Sequence, residues 1–277
     1  MNFNICLVQP QGYVHSAAFS ELAEVLCYGL QELGHKAGVT VNNTFVDARN
    51  IIIGCHLLDP SYMGSVPGDT IIVNTEQLTD DHLPWHDNIY QWVARFQTWD
   101  YSARNLEKLR TVGAANPKLL RLGFHRKLAR IDRAATQDID VLFYGSIGER
   151  RRRILLDLHA TRRNVAAVFG VYGTERDRLI SRAKIVLNVH HYNSKIFEIV
   201  RVFYLMTNSK AVVSEVGEDT AIDRQYAAGI WPAKYDELVT ACLKLLADDQ
   251  LRRDLEKRAL EAISGLPQGE LLQPLLD

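Results

Sequence analysis

Residues 3–41 read FNICLVQPQGYVHSAAFSELAEVLCYGLQELGHKAGVTV, and this stretch determines the expected fold class. It opens with a short apolar strand at 3–8. Apolar residues then recur at i, i+3 and i+4 between residues 16 and 33, which predicts an amphipathic helix capped by Ser16. Gly34 ends this helix, and a second strand follows at 36–41. Two strands joined by a crossover helix form a βαβ unit, so we predict a parallel α/β sheet.

The same alternation continues on both sides of a segment poor in strand-forming residues, 124–137. Before this segment, we predict strands at 50–54, 70–73, 97–99 and 118–122, and helices at 87–95 and 101–109. After it, we predict strands at 139–144, 165–169, 185–188 and 211–213, and helices at 149–159, 174–183, 195–206, 234–247 and 249–263. Apolar runs that do not alternate are typical of parallel strands buried on both faces.

We therefore expect an α/β protein with two Rossmann-like, doubly wound domains that face a central cleft. Residues 1–125 make up the predicted N-terminal domain, and residues 126–277 make up the C-terminal domain. We expect the last helix to pack back toward the N-terminal domain. Ligands of open α/β sheets bind beyond the carboxyl ends of the strands, so functional residues are expected just after the strands.

The charge of the chain is unevenly distributed. The 277 residues are 47% hydrophobic and carry a net charge of −1, which excludes a disordered chain and a uniformly basic nucleic-acid coat. Residues 104–184, however, contain 19 basic and 8 acidic residues, a net charge of +11. Such a window indicates a local anionic partner, phosphate being the commonest small one, or a solvated face that is compensated elsewhere.

The cysteines and the N-terminus indicate an intracellular protein. Cys6, Cys27, Cys55 and Cys242 form no C-x-x-C pair and lie in apolar contexts, so we predict four core residues in a reducing cytosol. The first residues lack the basic and apolar regions of a signal peptide, and no run of 18 apolar residues occurs. We therefore expect a cytoplasmic protein without a membrane span.

Two segments that follow predicted strands are suited to bind phosphate. Residues 190–195 precede a predicted helix, where free backbone N–H groups and the helix dipole favour an anion and Lys195 adds a charge. Glu198 suits the vicinal hydroxyls of a ribose. Ser194 and Glu198 are also typical helix caps, and that alternative remains open.

The second segment is the turn at 145–148, whose glycines let backbone approach an anion before a helix rich in arginine. Arginines 150–153 cannot all face one side of a helix, so at most two are expected to be ligands. The turn matches neither a Walker A motif nor G-x-G-x-x-G. This argues against a P-loop kinase and a standard dinucleotide site.

Four stretches together resemble the nucleotide-sugar half of GT-B glycosyltransferases: 145–151 (GSIGERR), 168–175 (VFGVYGTE), 181–192 (SRAKIVLNVHHY) and 195–201 (KIFEIVR). The N-terminal half is similar to bacterial and phage members of this group at 33–35, 75–77 and 99–102. Retaining members often carry a Glu-x7-Glu pair, whereas the next glutamate after Glu198 is Glu215. The stereochemistry of the reaction therefore stays open.

The resemblance implies a set of residues for a nucleoside-diphosphate sugar. The Lys-x-x-Glu pattern of the family matches Lys195 and Glu198, and its Gly-rich turn matches Gly145 and Ser146. In the family, the glutamate holds the donor ribose. The expected donor residues are Gly145, Ser146, Arg150, Arg152, His190, Tyr192, Asn193, Ser194, Lys195, Glu198 and Arg201.

An inverting reaction also needs a base near the acceptor hydroxyl. His15 is the first candidate, and Glu76 and Asp100, each after a predicted strand, are the next two. For the acceptor we name Gly12, Tyr13, Trp85 and Tyr101; Trp92 and Trp99 are expected in the core. Asp138 and Asp140 spell D-x-D but fall at the start of a strand. We therefore read them as structural and expect no metal and no cofactor, since arginines and a helix N-terminus can neutralise a diphosphate.

The sequence thus predicts a metal-independent glycosyltransferase that moves a hexosyl or pentosyl group, with UDP as the expected carrier. Its acceptor would be a surface or lipid-linked saccharide, a protein, or a hydroxymethylated DNA base of the kind that phages glycosylate. An epimerase-like nucleotide-sugar protein or a non-catalytic nucleotide-binding protein is the alternative. The sugar, the acceptor and the oligomeric state do not follow from the sequence.

Overall fold

A computed structural model describes residues 1–78, 83–192 and 194–276. Asn193, one of the expected donor residues, lies outside the described residues. The chain divides into two compact units. Unit 1 comprises residues 1–123 together with those from 267 onward, and unit 2 comprises residues 124–266.

The strands of the described residues are β1 (Asn2–Leu7), β2 (Lys36–Val41), β3 (Arg49–Ile53), β4 (Ile71–Asn74), β5 (Gln97–Asp100), β6 (Lys118–Leu119), β7 (Ile139–Tyr144), β8 (Val165–Val168), β9 (Ala183–Asn188), β10 (Val212–Glu215) and β11 (Trp231–Ala233). The α-helices are α1 (Ser20–Glu32), α2 (His86–Arg95), α3 (Ala103–Thr111), α4 (Glu149–Ala160), α5 (Gly173–Arg182), α6 (Ile199–Thr207), α7 (Arg224–Ala228), α8 (Leu238–Ala247), α9 (Asp249–Ser264) and α10 (Gln268–Leu276).

Unit 1 contains a parallel sheet with the strand order β2-β1-β3-β4-β5-β6. The central strands are apolar and buried, as expected for a sheet covered on both faces. Trp92 and Trp99 are fully buried, which confirms their expected place in the core. Because β1, β3, β4 and β5 are neighbours, the segments that follow them emerge side by side at one edge of the sheet.

Unit 2 contains a second parallel sheet, ordered β11-β10-β9-β7-β8. The neighbours β7, β9 and β10 bring together the turn at 145–148, the loop at 189–198 and the loop at 216–220. The expectation of an α/β protein with two Rossmann-like sheets is confirmed. All four cysteines are buried and free. No helix of the described residues is long and apolar enough to cross a membrane.

A helix that the sequence analysis did not predict, α10, belongs to unit 1. It packs on α1, where a Cβ on Gly29 would lie 2.7 Å from the Cγ of Gln268. The buried Gln268 side chain accepts a hydrogen bond from the Gly123 N–H (2.6 Å) and donates one to the Arg121 carbonyl (3.2 Å). The predicted last helix, α9, lies within unit 2.

The helices predicted to start at residues 16, 195 and 234 each start four residues later, at Ser20, Ile199 and Leu238. The helix expected from residue 16 begins as a 3-10 turn at Val14–Phe19, and α1 starts only at Ser20. Ser16 is buried inside that turn and caps nothing. The helix expected from Lys195 starts at Ile199, because Lys195 has a left-handed backbone with φ +50° and cannot belong to a right-handed helix.

Candidate functional site

The carboxyl edge of the unit 2 sheet gathers a buried polar cluster around Glu198. One carboxylate oxygen of Glu198 accepts hydrogen bonds from the Arg151 guanidinium (3.3 Å) and the His191 N–H (3.2 Å). The other oxygen is 3.1 Å from the amide nitrogen of Asn188 and 3.0 Å from Nδ1 of His190. The side chain is only 13% exposed. Glu198 is the N-cap residue of α6 without making a side-chain cap bond, so the capping alternative does not describe it.

His190 links this carboxylate to the loop after β10. Its ring is fully buried, and Nε2 lies 3.2 Å from the hydroxyl of Thr220. The His190 N–H also donates to Glu215 (3.0 Å), which in turn is paired with Arg150. The Arg150 guanidinium stacks 4.3 Å from the centre of the Tyr235 ring.

Arg151 holds three segments of the edge together. Its Nε donates to the Val189 carbonyl (2.8 Å), its Nη1 donates to the Ser146 carbonyl (2.9 Å), and its Nη2 donates to Glu198. Burial, together with the nearby charge of Arg201, lowers the pKa of Arg151 to about 10. The guanidinium remains charged at neutral pH. Its three hydrogen bonds hold the turn at 145–148, the end of β9 and the Glu198 carboxylate in place.

Arg201 lies against the glycine turn. Its Nη1 donates to Asn188 (2.7 Å), and a Cβ on Gly145 would lie 2.8 Å from Nη2. Gly145 also has φ +133°, a conformation that side chains with a Cβ rarely adopt. The buried Nε of Arg201 has no hydrogen-bond partner among the described residues. This glycine therefore permits both the turn and the close approach of the guanidinium.

The cluster carries more positive than negative charge. Arg150, Arg151 and Arg201 share the carboxylates of Glu198 and Glu215. Burial by itself would raise the pKa of Glu198. The hydrogen bond and charge of His190 and the charges of Arg151 and Arg201 outweigh burial and hold this pKa below its ordinary value. The negative charges of both carboxylates are thus balanced by arginines of this cluster. The cluster keeps one positive charge more than its carboxylates balance.

Two helices start at the same edge without side-chain caps. The N-cap of α4 is Gly148 and that of α6 is Glu198, and neither makes a side-chain cap bond. Both helix dipoles and the first-turn N–H groups of α4 add to the positive potential of the arginines, whereas in α6 the Ile199 and Arg201 N–H groups are bonded to the carbonyls of Phe197 and Glu198. This arrangement is suited to bind a phosphate group.

The other expected donor residues lie at or near this edge. Ser146 is exposed and contributes its carbonyl to Arg151, whereas Lys195 is paired with Asp219 at 3.4 Å. The ring of Tyr192 packs edge-on against His191, with centroids 4.5 Å apart. Arg152 is exposed on α4, next to the buried Arg151. Ser194 is half-buried in the loop before α6.

The predicted set of donor residues leaves out Arg151, Glu215 and His191. Arg151 stands among four arginines, and only the phase of α4 shows which one points inward. Glu215 is the last residue of β10, so its position after a predicted strand was an available signal. His191 lies against Gly148, and burial, together with Arg151, lowers its pKa.

The carboxyl edge of the unit 1 sheet holds a second cluster, in which Glu76 is the central group. Its Oε1 lies 3.5 Å from Nε2 of His56, and the two side chains are 21% and 10% exposed. Burial raises the pKa of Glu76 to about 7 and lowers that of His56 to about 4. A carboxyl group that titrates near neutrality is suited to accept a proton.

Asp100, one of the expected bases, is fully buried and holds the loop that carries Glu76. Its carboxylate accepts hydrogen bonds from the side chains of Asn74 (2.6 Å) and Asn105 (2.9 Å) and from the Ser102 N–H (2.7 Å). The same two amides donate to the carbonyl of Glu76, each at 2.9 Å. With these donors around it and no exposed surface, Asp100 is placed to support the loop rather than to meet a substrate.

The remaining candidates of unit 1 occupy the same edge. His15 is half-buried in the 3-10 turn after β1 and packs edge-on against Tyr13, with ring centroids 5.3 Å apart. Tyr13 is 38% exposed and lies beside Gly12, whose φ is +78°. The Tyr101 hydroxyl donates to the Thr75 carbonyl (2.7 Å). Trp85, which precedes α2, has a buried indole nitrogen without a partner in the part of the chain that the structure describes.

Within residues 1–78, 83–192 and 194–276, no group of three or more His, Cys, Asp or Glu side chains could hold a metal ion. Asp138 and Asp140 are instead paired with Arg182 and Lys184. Both carboxylates thus have cationic partners within unit 2.

Solved structures resemble the whole chain. β-Glucosyltransferase from T4 phage, in complex with UDP and Mn²⁺, matches 99% of this chain and 98% of its own length with a TM-score of 0.62 and 11% identity. HepE from Anabaena, in complex with UDP-glucose, matches 99% of both chains with the same TM-score and identity. Sucrose-phosphate synthase from Thermosynechococcus elongatus gives a TM-score of 0.63 at 11% identity, over 99% of this chain and 98% of its own.

The chain has the GT-B fold. The resemblance drawn from the sequence is thereby confirmed for the fold.

No protein-family model matches the chain. Its sequence relatives include two uncharacterized proteins of Acanthamoeba polyphaga mimivirus. One is 28% identical over 191 residues, which cover 64% of this chain and 59% of the relative. The other is 27% identical over 208 residues, which cover 72% of this chain and 27% of the relative. The chain thus matches about three-fifths of the length of the first relative and about a quarter of the second.

Proposed function

We propose that this GT-B protein is a glycosyltransferase that moves a hexosyl or pentosyl group from a nucleoside-diphosphate sugar to an acceptor hydroxyl. The observation that carries the proposal is the surplus of arginine at the unit 2 edge. The buried Nε of Arg201 has no hydrogen-bond partner among the described residues. Its guanidinium lies beside the turn at 145–148, where Gly145 leaves room for it. A diphosphate supplies the negative charge and the acceptor atoms that this group lacks.

In this proposal the arginines stabilise the leaving group. The bond between the sugar C1 and the β-phosphate oxygen breaks, and the diphosphate gains negative charge as it leaves. Arg201, Arg150, the first-turn N–H groups of α4 and the dipole of α6 are suited to meet that charge. Glu198, positioned by His190 and Arg151, is the residue that the resemblance assigns to the ribose hydroxyls, and a hydroxyl bound there would replace one of its four present donors.

Unit 1 supplies the base and the acceptor side of the reaction. Of the three predicted bases, we assign proton acceptance to Glu76, since it is partly exposed and titrates near neutrality. The acceptor oxygen then bonds to C1 as its proton passes to Glu76, which is an inverting reaction. Candidate acceptors remain a saccharide, a protein or a hydroxymethylated DNA base.

Nucleotide binding gives the direct test. We expect isothermal titration calorimetry to show binding of UDP, and Arg201→Gln to weaken it roughly tenfold or more, because one charge-assisted contact to the diphosphate is lost. Arg178→Gln removes the same charge from an exposed position on α5 and should bind UDP like the wild type. Equal affinity of the wild type and Arg201→Gln would refute this donor site, as would the absence of binding by any nucleoside diphosphate.

We also propose that transfer needs no divalent metal ion, because arginines and two helix N-termini supply the positive charge. The T4 phage structure contains Mn²⁺ with UDP, so the requirement needs its own test here. EDTA should leave the transfer rate unchanged in a radiolabelled-sugar assay. Loss of activity that returns on adding Mn²⁺ or Mg²⁺ would show that the arginines do not suffice.

A further inference from the structure

His56 and Glu76 form a pair that the sequence analysis did not foresee. His56 lies in the 3-10 turn that follows β3, and Glu76 lies in the loop that follows β4, the neighbouring strand. Their facing atoms, Nε2 and Oε1, are 3.5 Å apart. Both side chains are largely shielded from water, so a hydrogen bond between them is stronger than it would be in water.

The backbone of each partner is held from a different element. The His56 carbonyl accepts a hydrogen bond from the amide of Asn88 on α2 (3.3 Å). The Glu76 carbonyl accepts from Asn74 and Asn105, which are themselves bonded to the buried Asp100. The separation of the two side chains is therefore fixed by the fold. Such contacts are often long before substrate binds and shorten in the reacting complex.

Two further titratable groups of the described residues interact with Glu76, and neither of them can carry a positive charge. Tyr13 and the Cys55 thiol interact electrostatically with Glu76, and burial together with Glu76 raises the pKa of both, that of Cys55 to about 12. Asp100 is bonded to the two asparagines that hold the Glu76 carbonyl, and His15 packs edge-on against Tyr13. His56 faces Glu76 with a ring nitrogen that can donate a hydrogen bond, and burial lowers the pKa of this imidazole to about 4, which keeps it neutral at neutral pH.

We propose that His56 is a positioning residue for Glu76, donating from Nε2–H to Oε1 so that the carboxylate stays ionised and aimed at the acceptor hydroxyl. The inference rests on the proposed function, because it gives Glu76 the role of base. When Glu76 takes the acceptor proton, the hydrogen bond loses its charge assistance but needs no second proton transfer. His56 remains neutral throughout the reaction.

The test replaces His56 and follows the titration of Glu76. In His56→Phe the donor is lost, so the ionised carboxylate is less stabilised and the pKa of Glu76 should rise by about one pH unit. ¹³C NMR of the Glu76 carboxyl group measures this without substrate. His56→Gln carries an amide N–H of similar reach, so it should restore a titration close to that of the wild type. If the phenylalanine variant does not fold, His56→Met gives the same loss of the donor with less bulk.

The pH profile of transfer should follow the same order. The acid limb of kcat/KM should move upward by about one pH unit in His56→Phe or His56→Met and return in His56→Gln. A Glu76 titration identical in all variants would overturn the proposal, as would a glutamine variant that behaves like phenylalanine. Full activity of Glu76→Gln would instead refute the proposed function, while the NMR titration would still decide whether His56 and Glu76 are coupled.

Discussion

Replacing Glu76 with glutamine should lower kcat for glycosyl transfer by roughly 10²- to 10⁴-fold, the usual contribution of a positioned general base. The amide keeps the size of the side chain but cannot accept the acceptor proton. UDP affinity should stay at the wild-type value, because the arginine cluster lies on the other unit. Calorimetry and a steady-state transfer assay measure the two quantities separately.

The pH dependence of glycosyl transfer by the wild type should report the titration of Glu76. Burial raises the pKa of Glu76 to about 7, and only the ionised form accepts a proton. Activity should therefore rise with pH, reach half of its maximum near pH 7 and level off at higher pH. Glu107→Gln, on the exposed face of α3, makes the same chemical change and should leave both kcat and the pH profile unaltered. A Glu76→Gln enzyme with normal kcat would point to a reaction that needs no base, such as a retaining one.

The architecture was predictable because most of the strands can be recognised in the sequence as short apolar runs. Each predicted strand overlaps an observed one, and βαβ handedness then gives parallel sheets. Two of the elements that were missed, β11 and α10, break local rules. β11 contains Pro232, which is rare inside strands, and α10 contains Pro274, which is rare inside helices. Contacts distant in the sequence stabilise both elements: β11 pairs with β10, and α10 packs on α1.

The candidate site was only partly predictable, since its chemistry depends on contacts between distant residues. Position after a strand correctly indicated the edge where Glu198, His190 and Arg201 meet. It did not show that Glu198 would be surrounded by donors already, or that α6 would begin at Ile199 instead of Lys195. The loop is shaped by these long-range bonds, whereas the helical propensity of residues 195–198 favours a helix.

The same limit applies to the bases of unit 1. Glu76 and Asp100 both follow or end a strand, and from the sequence they look equivalent. The structure separates them by burial and partners: Asp100 is bonded to two asparagines, and Glu76 faces a histidine 20 positions earlier. Which histidine stands beside Glu76 depends on the order of the strands, which places β3 next to β4.

Among the residues of unit 2, we expect the loss of Arg151 to lower the stability of the protein and its affinity for UDP the most. Arg151→Met leaves Glu198 without its guanidinium partner and removes the donor from two carbonyls, those of Ser146 and Val189. Breaking a buried ion pair from one side costs about 3 kcal/mol or more. We expect the midpoint of thermal unfolding to fall by roughly 10 °C in circular dichroism and UDP binding to become undetectable.

Arg151→Lys separates the charge of this residue from its geometry. Lysine keeps the positive charge but cannot direct donors to Ser146, Val189 and Glu198 at once, because its ammonium is a compact point charge. If the three-way bridge matters, the lysine variant should lose most of the stability that the methionine variant loses. Arg152→Lys, at the exposed neighbouring position, serves as the control for stability. An Arg151→Lys enzyme that is fully stable and binds UDP normally would contradict this expectation. It would show that the positive charge alone holds the site and that the turn at 145–148 does not need the several N–H donors of the guanidinium.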